Sequence, residues 1–406
     1  MEDKPLSDSA STAGSSTESG GTSPSLDDVP KVLRRGRLRD EDYWLFLTQS
    51  VRTSDILLLL LIKAILWARQ STKFQTITIA SAVLFLVVWG YLYFNPIPKD
   101  FSVYGKAPDL GVFLRAPSSQ DSNVRMVGVG RYTRQNYFTD LAVRLFYREG
   151  FRYLTSDKFT MIENFKWDHI TDMDDLVYQS KLAAYIHVNE LLGTPVEWSS
   201  KTIVKKSGYK EGNAPILLPN DEIISIDGRP VEEFTQTDFI LMNYDNKLYD
   251  VEFKRGNEVF IKRIKFNSFE VYRYYFLEHL GVLEDFNNYF SHDDDYYQGN
   301  SGTLAIALQY YLDRTGHSLP FKVALTGSMN AEGLVEQVGG VAAKTITVHR
   351  EGIKVFFVPT DKSPIRNYSR ALEVKQGMGY DDLTVVEVRT FSDVLKYLGI
   401  TPPVNR

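Results

Sequence analysis

Two side chains in the last third of the chain have the chemistry of a covalent catalyst, a serine and a lysine. Ser301 lies in the small, flexible run Gly299–Thr303, and the apolar run Leu304–Asp313 that follows is typical of a helix. At a helix N-terminus, free backbone N–H groups and the positive end of the helix dipole stabilise a developing oxyanion. A serine flanked by glycines is more commonly a plain N-cap, so this motif needs a base before it indicates catalysis.

The base is not one of the six histidines, since they show no recognisable Ser/His/Asp pattern. A lysine with the ordinary pKa of about 10.4 is neutral only about once in a few thousand molecules at pH 7. Burial without a carboxylate partner lowers that pKa and produces a usable base. Lys344 fits, because Gly339-Gly340 and the small apolar residues 341–343 put it on the first turn of a helix. The alternative is an ordinary solvated lysine.

The order of motifs around these two residues resembles the proteolytic domain of Lon-type serine–lysine peptidases, over about residues 280–400. The G-P-S-A-G motif of that family corresponds to Gly299–Thr303. Its T-G-x-x…G-x-V-x-x-[IV]-G-G-x-x-x-K block corresponds to Thr326-Gly327, Gly333, Val335, Val338-Gly339-Gly340 and Lys344. The downstream H-R-x-G-[IV] motif corresponds to His349–Ile353.

The resemblance implies that Ser301 is the nucleophile and Lys344 the general base. It also implies that Thr326 lies near the dyad, with Gly302 and Asn300 supporting the dyad or the oxyanion site. The chain departs from the family in two places, since Asn300 replaces the usual Pro and Gly302-Thr303 replaces Ala-Gly. We expect an altered loop geometry rather than a dead site. A homo-oligomeric ring is a further implication of the resemblance.

A second module precedes this domain, over residues 216–264. Its pattern predicts a strand at Ile223–Ile226, a turn at Asp227-Gly228, a helix at Thr235–Asn243 and paired strands at Tyr249–Lys254 and Glu258–Ile264. The run Leu217–Val231 resembles the L-x-P-G-D-x-I-x-x-I-D-G-x-x-V motif of PDZ domains, with Asn220 in place of Gly. Asparagine tolerates left-handed geometry, so this departure costs little.

A PDZ fold implies a groove between a strand edge and the helix, which accepts a peptide by β-augmentation. We take Gly193-Thr194-Pro195-Val196 as the candidate carboxylate-binding loop of that groove, with Gly193, Thr194 and Val196 as its peptide-binding residues. The alternative is that the module is only a spacer.

The N-terminal part of the chain is unlike the rest. Residues 1–30 contain eight serines and six acidic residues, with almost nothing apolar to bury, which predicts a disordered tail. The uncharged run Phe74–Phe94 has 21 residues and spans roughly 32 Å as a helix, enough to cross a bilayer. The shorter run Ile56–Ala68 contains Lys63 and is better interpreted as a helix lying at the membrane interface than as a second span.

Basic residues set the predicted orientation of the membrane span. Those before the span include Arg34, Arg35, Arg37, Arg39, Arg52, Arg69 and Lys73, whereas the first ones after it are Lys99 and Lys106. The positive-inside rule therefore places the N-terminus in the cytoplasm and residues 95–406 outside the cell membrane, as a single-pass protein. A crossing by residues 56–68 would invert this orientation.

Composition excludes several other classes of protein. A net charge of −5 argues against a nucleic-acid-binding surface, and the absence of cysteine excludes disulfides, thiolate metal sites and a cysteine nucleophile. The acidic run Asp293–Asp295 lacks the glycine and glutamate of a calcium loop, so we expect no metal site. No G-x-x-x-x-G-K-[ST] motif occurs, and we expect no cofactor.

These features predict a mixed α/β (α+β) protein. Its predicted parts are a disordered, basic-ended tail (1–40), an interfacial segment (41–73), a transmembrane helix (74–94), an α/β segment (101–190), a PDZ-like domain (191–268) and a Lon-type domain (270–400). The predicted function is an ATP-independent serine endopeptidase acting on unfolded or membrane-proximal polypeptides, with the PDZ module selecting segments. The rival is a membrane-tethered PDZ scaffold whose peptidase-like domain is inactive or only self-processing.

Overall fold

The computed structural model describes residues 72–95, 101–108, 110, 114, 122–132, 136–148, 173–206, 216–243, 245, 247–266, 269–290 and 299–401. The predicted tail, the run Ile56–Ala68 and the acidic run Asp293–Asp295 lie outside the described residues.

The helix α1 covers Thr72–Phe94 and contains the whole predicted span. Its part from Gln75 to Phe94 is long and apolar enough to cross a membrane by length and composition.

The part of the chain that contains Ser301 and Lys344 is built around a four-stranded parallel sheet, in the order β14-β13-β10-β2. We refer to it as the catalytic unit, after the roles predicted for these two residues. Its strands are β2 (Val124–Met126), β10 (Val323–Leu325), β13 (Val355–Pro359) and β14 (Thr384–Val388). Its helices are α2 (Tyr137–Phe146), α3 (Met173–Leu191), α5 (Leu280–Tyr289), α6 (Thr303–Thr315), α7 (Val341–Arg350), α8 (Asn367–Met378) and α9 (Phe391–Tyr397). Two short pairs of strands complete it, β1 (Phe101–Tyr104) with β3 (Val129–Tyr132), and β11 (Ser328–Met329) with β12 (Val335–Glu336).

Both faces of this sheet are covered, as a parallel sheet requires. Side chains alternate along a strand, and in β10 Val323 and Leu325 enter the core shared with α3, α5, α6 and α9, whereas Ala324 enters the core shared with α7 and α8. In β13, Phe357 enters the first of these two cores and Phe356 enters the second. The result is a three-layer α/β/α unit that holds α6 and α7 on opposite sides of β10.

A smaller β-rich module has a core of its own. Its sheet runs in the order β8-β7-β5-β4-β9. The elements are β4 (Trp198–Lys206), β5 (Glu222–Ile226), β6 (Arg229–Pro230) paired to β5, a 3₁₀ turn (Val231–Glu233), α4 (Gln236–Met242), β7 (Leu248–Arg255), β8 (Glu258–Lys265) and β9 (Glu270–Leu277). Phe239, Val251 and Phe253 are among the side chains that fill it. The strands, helix and turn expected over residues 223–264 lie within about one residue of their predicted bounds, and Asn220 and Asp227 have positive φ.

The domain boundaries differ from the sequence prediction in two respects. β2 pairs with β10 and α3 packs on α6, so part of the predicted separate segment 101–190 belongs to the catalytic unit. β9, which was expected to start the Lon-type domain, instead extends the sheet of the β-rich module. The physical reason is shared in both cases, since each segment buries its apolar face against residues more than fifty positions away in sequence.

Candidate active site

Ser301 lies one residue before Gly302, the N-cap of α6. The loop that presents it is tied down on both sides. The Gly327 N–H donates to the carbonyl of Ser301 at 2.9 Å, and the Leu304 N–H donates to the carbonyl of Gly327 at 3.2 Å. The Asn300 carbonyl accepts the backbone N–H and the hydroxyl of Thr303, at 3.2 and 2.6 Å. The loop after β10 therefore holds the nucleophile loop in register with the sheet.

The departure from the family motif at position 302 has a steric reason. A Cβ atom on Gly302 would lie 2.1 Å from the Sδ atom of Met126, the last residue of β2. The alanine that is usual in the motif requires the Met126 side chain to move, and glycine does not. The glycine at position 302 thus leaves room for the Met126 side chain of β2.

Lys344 is on the first turn of α7, where Gly340 enters the helix with φ of 69°. Its backbone N–H donates to the Gly340 carbonyl at 2.9 Å, and its side chain is 2% exposed. Burial lowers the pKa of the amine to about 7, because a charged ammonium loses its hydration in an apolar surrounding. Within the described residues no carboxylate pairs with it. A large share of the amine is therefore neutral near pH 7.

Thr326 connects the lysine to the serine loop. The Lys344 Nζ atom donates to Thr326 Oγ1 at 2.9 Å, and the Thr326 hydroxyl donates to the Ser301 carbonyl at 3.4 Å. Thr326 follows β10 and is fully buried. The structure thus brings Ser301, Lys344 and Thr326 to one place, together with Gly302 and Asn300 of the nucleophile loop.

A small cavity of about 50 Å³ adjoins the nucleophile loop. Its lining includes Asn300, Ser328, Asn330, Glu336, Arg273 and Tyr275. Asn300 immediately precedes Ser301, and Ser328 immediately follows Thr326-Gly327. The cavity therefore lies close to Ser301 and Thr326. Its walls come from α4 and β9 of the β-rich module as well as from the catalytic unit.

Glu336 is the acidic residue of this cavity, and the sequence reasoning missed it. Burial raises the pKa of its carboxyl to about 7, and the backbone N–H groups of Gln236 and Thr237 at the start of α4 hydrogen-bond to it. Its Oε2 atom has no hydrogen-bond partner among the described residues. The sequence signal for this residue is an acidic side chain close to two valines, Val335 and Val338, in a segment that is otherwise apolar enough to be buried.

The residues predicted to bind a peptide carboxylate instead cap the C-terminus of α3. Gly193 has φ of 75° at the end of α3, and the Thr194 N–H and hydroxyl bond to Asn189. These contacts close the C-terminus of α3, and Val196 packs against the core of the catalytic unit. The long edge of β4 that follows is already paired with β9. The structure therefore places these residues at the end of α3 and not at the outer edge of the sheet, which β9 forms.

Comparison with known proteins identifies the domain that contains this site. Residues 297–400 match the family model of the Lon protease (S16) C-terminal proteolytic domain. The chain is similar to Lon protease of Campylobacter jejuni (35% identical over 75 residues, 18% of this chain and 9% of the relative). It is similar to Lon protease of Acinetobacter baumannii (27% over 114 residues, 26% and 14%).

A viral relative matches a shorter stretch. The structural polyprotein of avian infectious bursal disease virus is 47% identical over 57 residues, 14% of this chain and 5% of the polyprotein. The chain thus spans less than a sixth of the length of each of these relatives. Within those limits, residues 297–400 are a Lon-type proteolytic domain, the kind of domain that serine endopeptidases carry.

Proposed function

We propose that the chain is a membrane-anchored, ATP-independent serine endopeptidase that acts through Ser301 and Lys344. The observation that carries the proposal is Lys344, a fully buried amine with a pKa of about 7 that is tied through Thr326 to the loop of Ser301. A neutral lysine has a free lone pair and needs no histidine to accept a proton from a serine.

The reaction follows from these groups. The Ser301 hydroxyl gives its proton to the Lys344 amine while its oxygen bonds to the peptide carbonyl carbon, and the N-terminus of α6 faces the oxyanion that forms. The peptide C–N bond then breaks, and the Lys344 ammonium returns the proton to the leaving amine. Water hydrolyses the acyl ester with the same lysine as base, which restores both side chains.

The substrates we propose are flexible polypeptide segments, since the chain has no nucleotide-binding motif for an unfolding motor. The sequence also predicts that the PDZ-like module selects segments, and the scaffold rival needs this module to have an open groove. Because β4 is paired with β9, a groove for either idea would lie along β9, the outer strand of the sheet, and not along β4. The proposal of a peptidase does not depend on them.

The dyad is tested with the full chain in detergent micelles and an unstructured fluorescent polypeptide as substrate. Ser301→Ala and Lys344→Met are each expected to lower the cleavage rate at least about 10²-fold without loss of thermal stability. Lys322→Met is the matched control, because Lys322 is an exposed lysine of the same domain. Cleavage by Lys344→Met at the wild-type rate would remove this mechanism.

We also propose that α1 anchors the chain, with the N-terminus in the cytoplasm and residues 95–406 outside. Leu84→Arg is expected to weaken membrane insertion, since an arginine at the centre of a span costs about 2.5–3.5 kcal/mol. Gln75→Arg, at the end of the apolar segment, is its control. The measurement is the share of full-length chain that stays with membranes after carbonate extraction, and an equal share for both variants would contradict the anchor.

A further inference from the structure

The helix α2 carries its large apolar side chains on the outside of the protein. Five of them have exposed fractions between 43% and 68%, namely Tyr137, Phe138, Leu141, Leu145 and Phe146. With 3.6 residues per turn, the first four lie within about 100° of one another around the helix axis. Val143, the buried residue of α2, lies on the opposite side. A surface helix normally turns its apolar face to the core, and α2 does the reverse.

Local polar contacts hold this helix together. Asn136 is its N-cap, and its Oδ1 atom accepts from the N–H and the hydroxyl of Thr139 at 2.8 and 2.9 Å. One turn later the Arg144 guanidinium donates to both carboxylate oxygens of Asp140, at 2.6 and 3.2 Å. Because a cap and an ion pair of this spacing stabilise a helix without burial, α2 keeps its shape with the apolar face exposed. A contiguous exposed apolar surface of this kind marks an interaction site.

The position of α2 indicates that the partner is a lipid surface. The Tyr91 ring stacks on the Tyr137 ring, with centroids 6.0 Å apart and 17° between the ring planes. Both residues belong to the compact part of the chain that begins at Val88. Tyr91 lies in the last turn of α1, at the end of the apolar segment Gln75–Phe94. Tyrosines at the end of a membrane span lie at the boundary between lipid and water, so α2 begins at the depth where a bilayer around this segment ends.

From these contacts we infer that α2 is an interfacial helix, which inserts its apolar face into the surface of the bilayer that holds α1. The boundary between headgroups and acyl chains is where tyrosine, phenylalanine and leucine side chains on one face of a helix are buried favourably. Two exposed arginines, Arg144 and Arg148, suit the phosphate groups of the lipids. The inference rests on the anchor proposed above and adds a second contact with the same membrane.

The buried side of α2 connects this surface to the catalytic unit. Val143 belongs to the same hydrophobic core as Val341 and Ala343 of α7, the helix that contains Lys344. A bilayer contact along α2 therefore holds the catalytic unit against the membrane surface as well as at the end of α1. The proposed active site is thereby kept within reach of polypeptide segments that lie close to the membrane.

The test uses the full chain, whose lack of cysteine allows a single fluorescent label at a chosen position. The labelled variants are Leu145→Cys on the apolar face, Arg144→Cys on the polar flank of the same helix, and Asn257→Cys in the exposed turn between β7 and β8. Each is reconstituted into vesicles of phosphatidylcholine and phosphatidylglycerol, with or without a nitroxide group on the acyl chains. The nitroxide quenches a dye that lies within the lipid and leaves a dye in water unaffected.

The nitroxide is expected to lower the emission of the Leu145→Cys label at least about twofold, that of the Arg144→Cys label less, and that of the Asn257→Cys label not at all. No quenching at position 145, or equal quenching at positions 144 and 145, would overturn the inference. A label at position 145 that is shielded from aqueous iodide but not quenched by the lipid would also overturn it, because a second copy or another segment of the chain would then cover the face.

A label in α1 reports on the anchor separately. Leu84→Cys lies near the centre of the apolar segment, and its label is expected to be quenched as well. Quenching at position 84 without quenching at position 145 would reject the interfacial helix and leave the anchor, whereas no quenching at either position would reject both. Neither result depends on Ser301 or Lys344, so the proposed peptidase is tested independently.

Discussion

The Lys344 Nζ atom donates a hydrogen bond to Thr326 Oγ1 at 2.9 Å in a site where neither side chain reaches solvent. This bond uses one amine hydrogen and leaves the lone pair of a neutral lysine available for a proton. It also joins α7 to the end of β10, which in turn is bonded to the nucleophile loop through Gly327 and Ser301. The end of β10 thus links the three residues to which we assign the roles of base, positioning hydroxyl and nucleophile.

The pH dependence of cleavage follows from the lowered pKa of Lys344. Only the neutral amine accepts a proton, so kcat/KM is expected to rise about tenfold per pH unit below about 7 and to level above it. The measurement is hydrolysis of the fluorescent polypeptide between pH 5.5 and 9. A profile that still rises tenfold per pH unit between pH 8 and 9 would mean that the amine is solvated and has its ordinary pKa.

Thr326 is expected to act as a positioning residue. Thr326→Val keeps the shape of the side chain and removes the hydroxyl, so kcat is expected to fall between about 10- and 100-fold because the amine loses its fixed position. Loss of the acceptor also disfavours the charged amine, so the lower limb of the pH profile is expected to move to lower pH.

Thr326→Ser retains the hydroxyl and serves as the control, with a profile near that of the wild type. An unmoved limb in Thr326→Val, with the rate lowered, would assign the residue a purely structural role.

Glu336 is expected to make the fold more stable in acid. Its pKa is raised from 4.5 to about 7, so the folded state binds more protons than the unfolded state between these values. The stabilisation is full below about pH 4.5 and is lost as pH rises through about 7, at about 1.4 kcal/mol per unit of pKa difference.

Urea denaturation of the Ser301→Ala chain between pH 4.5 and 8 measures this slope. Glu336→Gln is expected to flatten it, whereas Glu351→Gln, at an exposed position, leaves it in place. Equal slopes in the two variants would show that Glu336 titrates normally.

A side chain at position 333 is expected to destabilise the fold. Gly333 has φ of 81° in the turn between β11 and β12, and a Cβ atom there would lie 2.1 Å from Cε1 of the His187 ring. Gly379 also has a positive φ, 70°, but a Cβ atom there would meet no other atom within 4 Å. Gly379→Ala therefore carries only the backbone strain, about 1–2 kcal/mol.

Gly333→Ala is expected to cost about 1–3 kcal/mol more than Gly379→Ala in free energy of unfolding, because the buried ring must move. Urea denaturation measures both. Adding His187→Ala should reduce the difference between the two glycine variants, and a difference that persists would contradict the steric explanation.

Local patterns in the sequence determined much of this protein. Periodicity, caps and turn chemistry within a few residues account for the apolar helix α1, the bounds of α4, the left-handed Asn220 and the positions of Ser301 and Lys344 at helix N-termini. These are short-range effects, and a single chain segment contains all the atoms that decide them.

Tertiary structure decided what depends on residues distant in the chain. Four features join segments that no local pattern links. They are the burial of Lys344, the contact of Met126 with a Cβ at position 302, the pairing of β2 with β10 and the pairing of β9 with β4. Burial and strand pairing are settled by which apolar faces meet, and that choice is made by the whole folded chain. The burial that lowers the pKa of Lys344 is therefore a property of the whole fold and not only of its neighbours in the sequence.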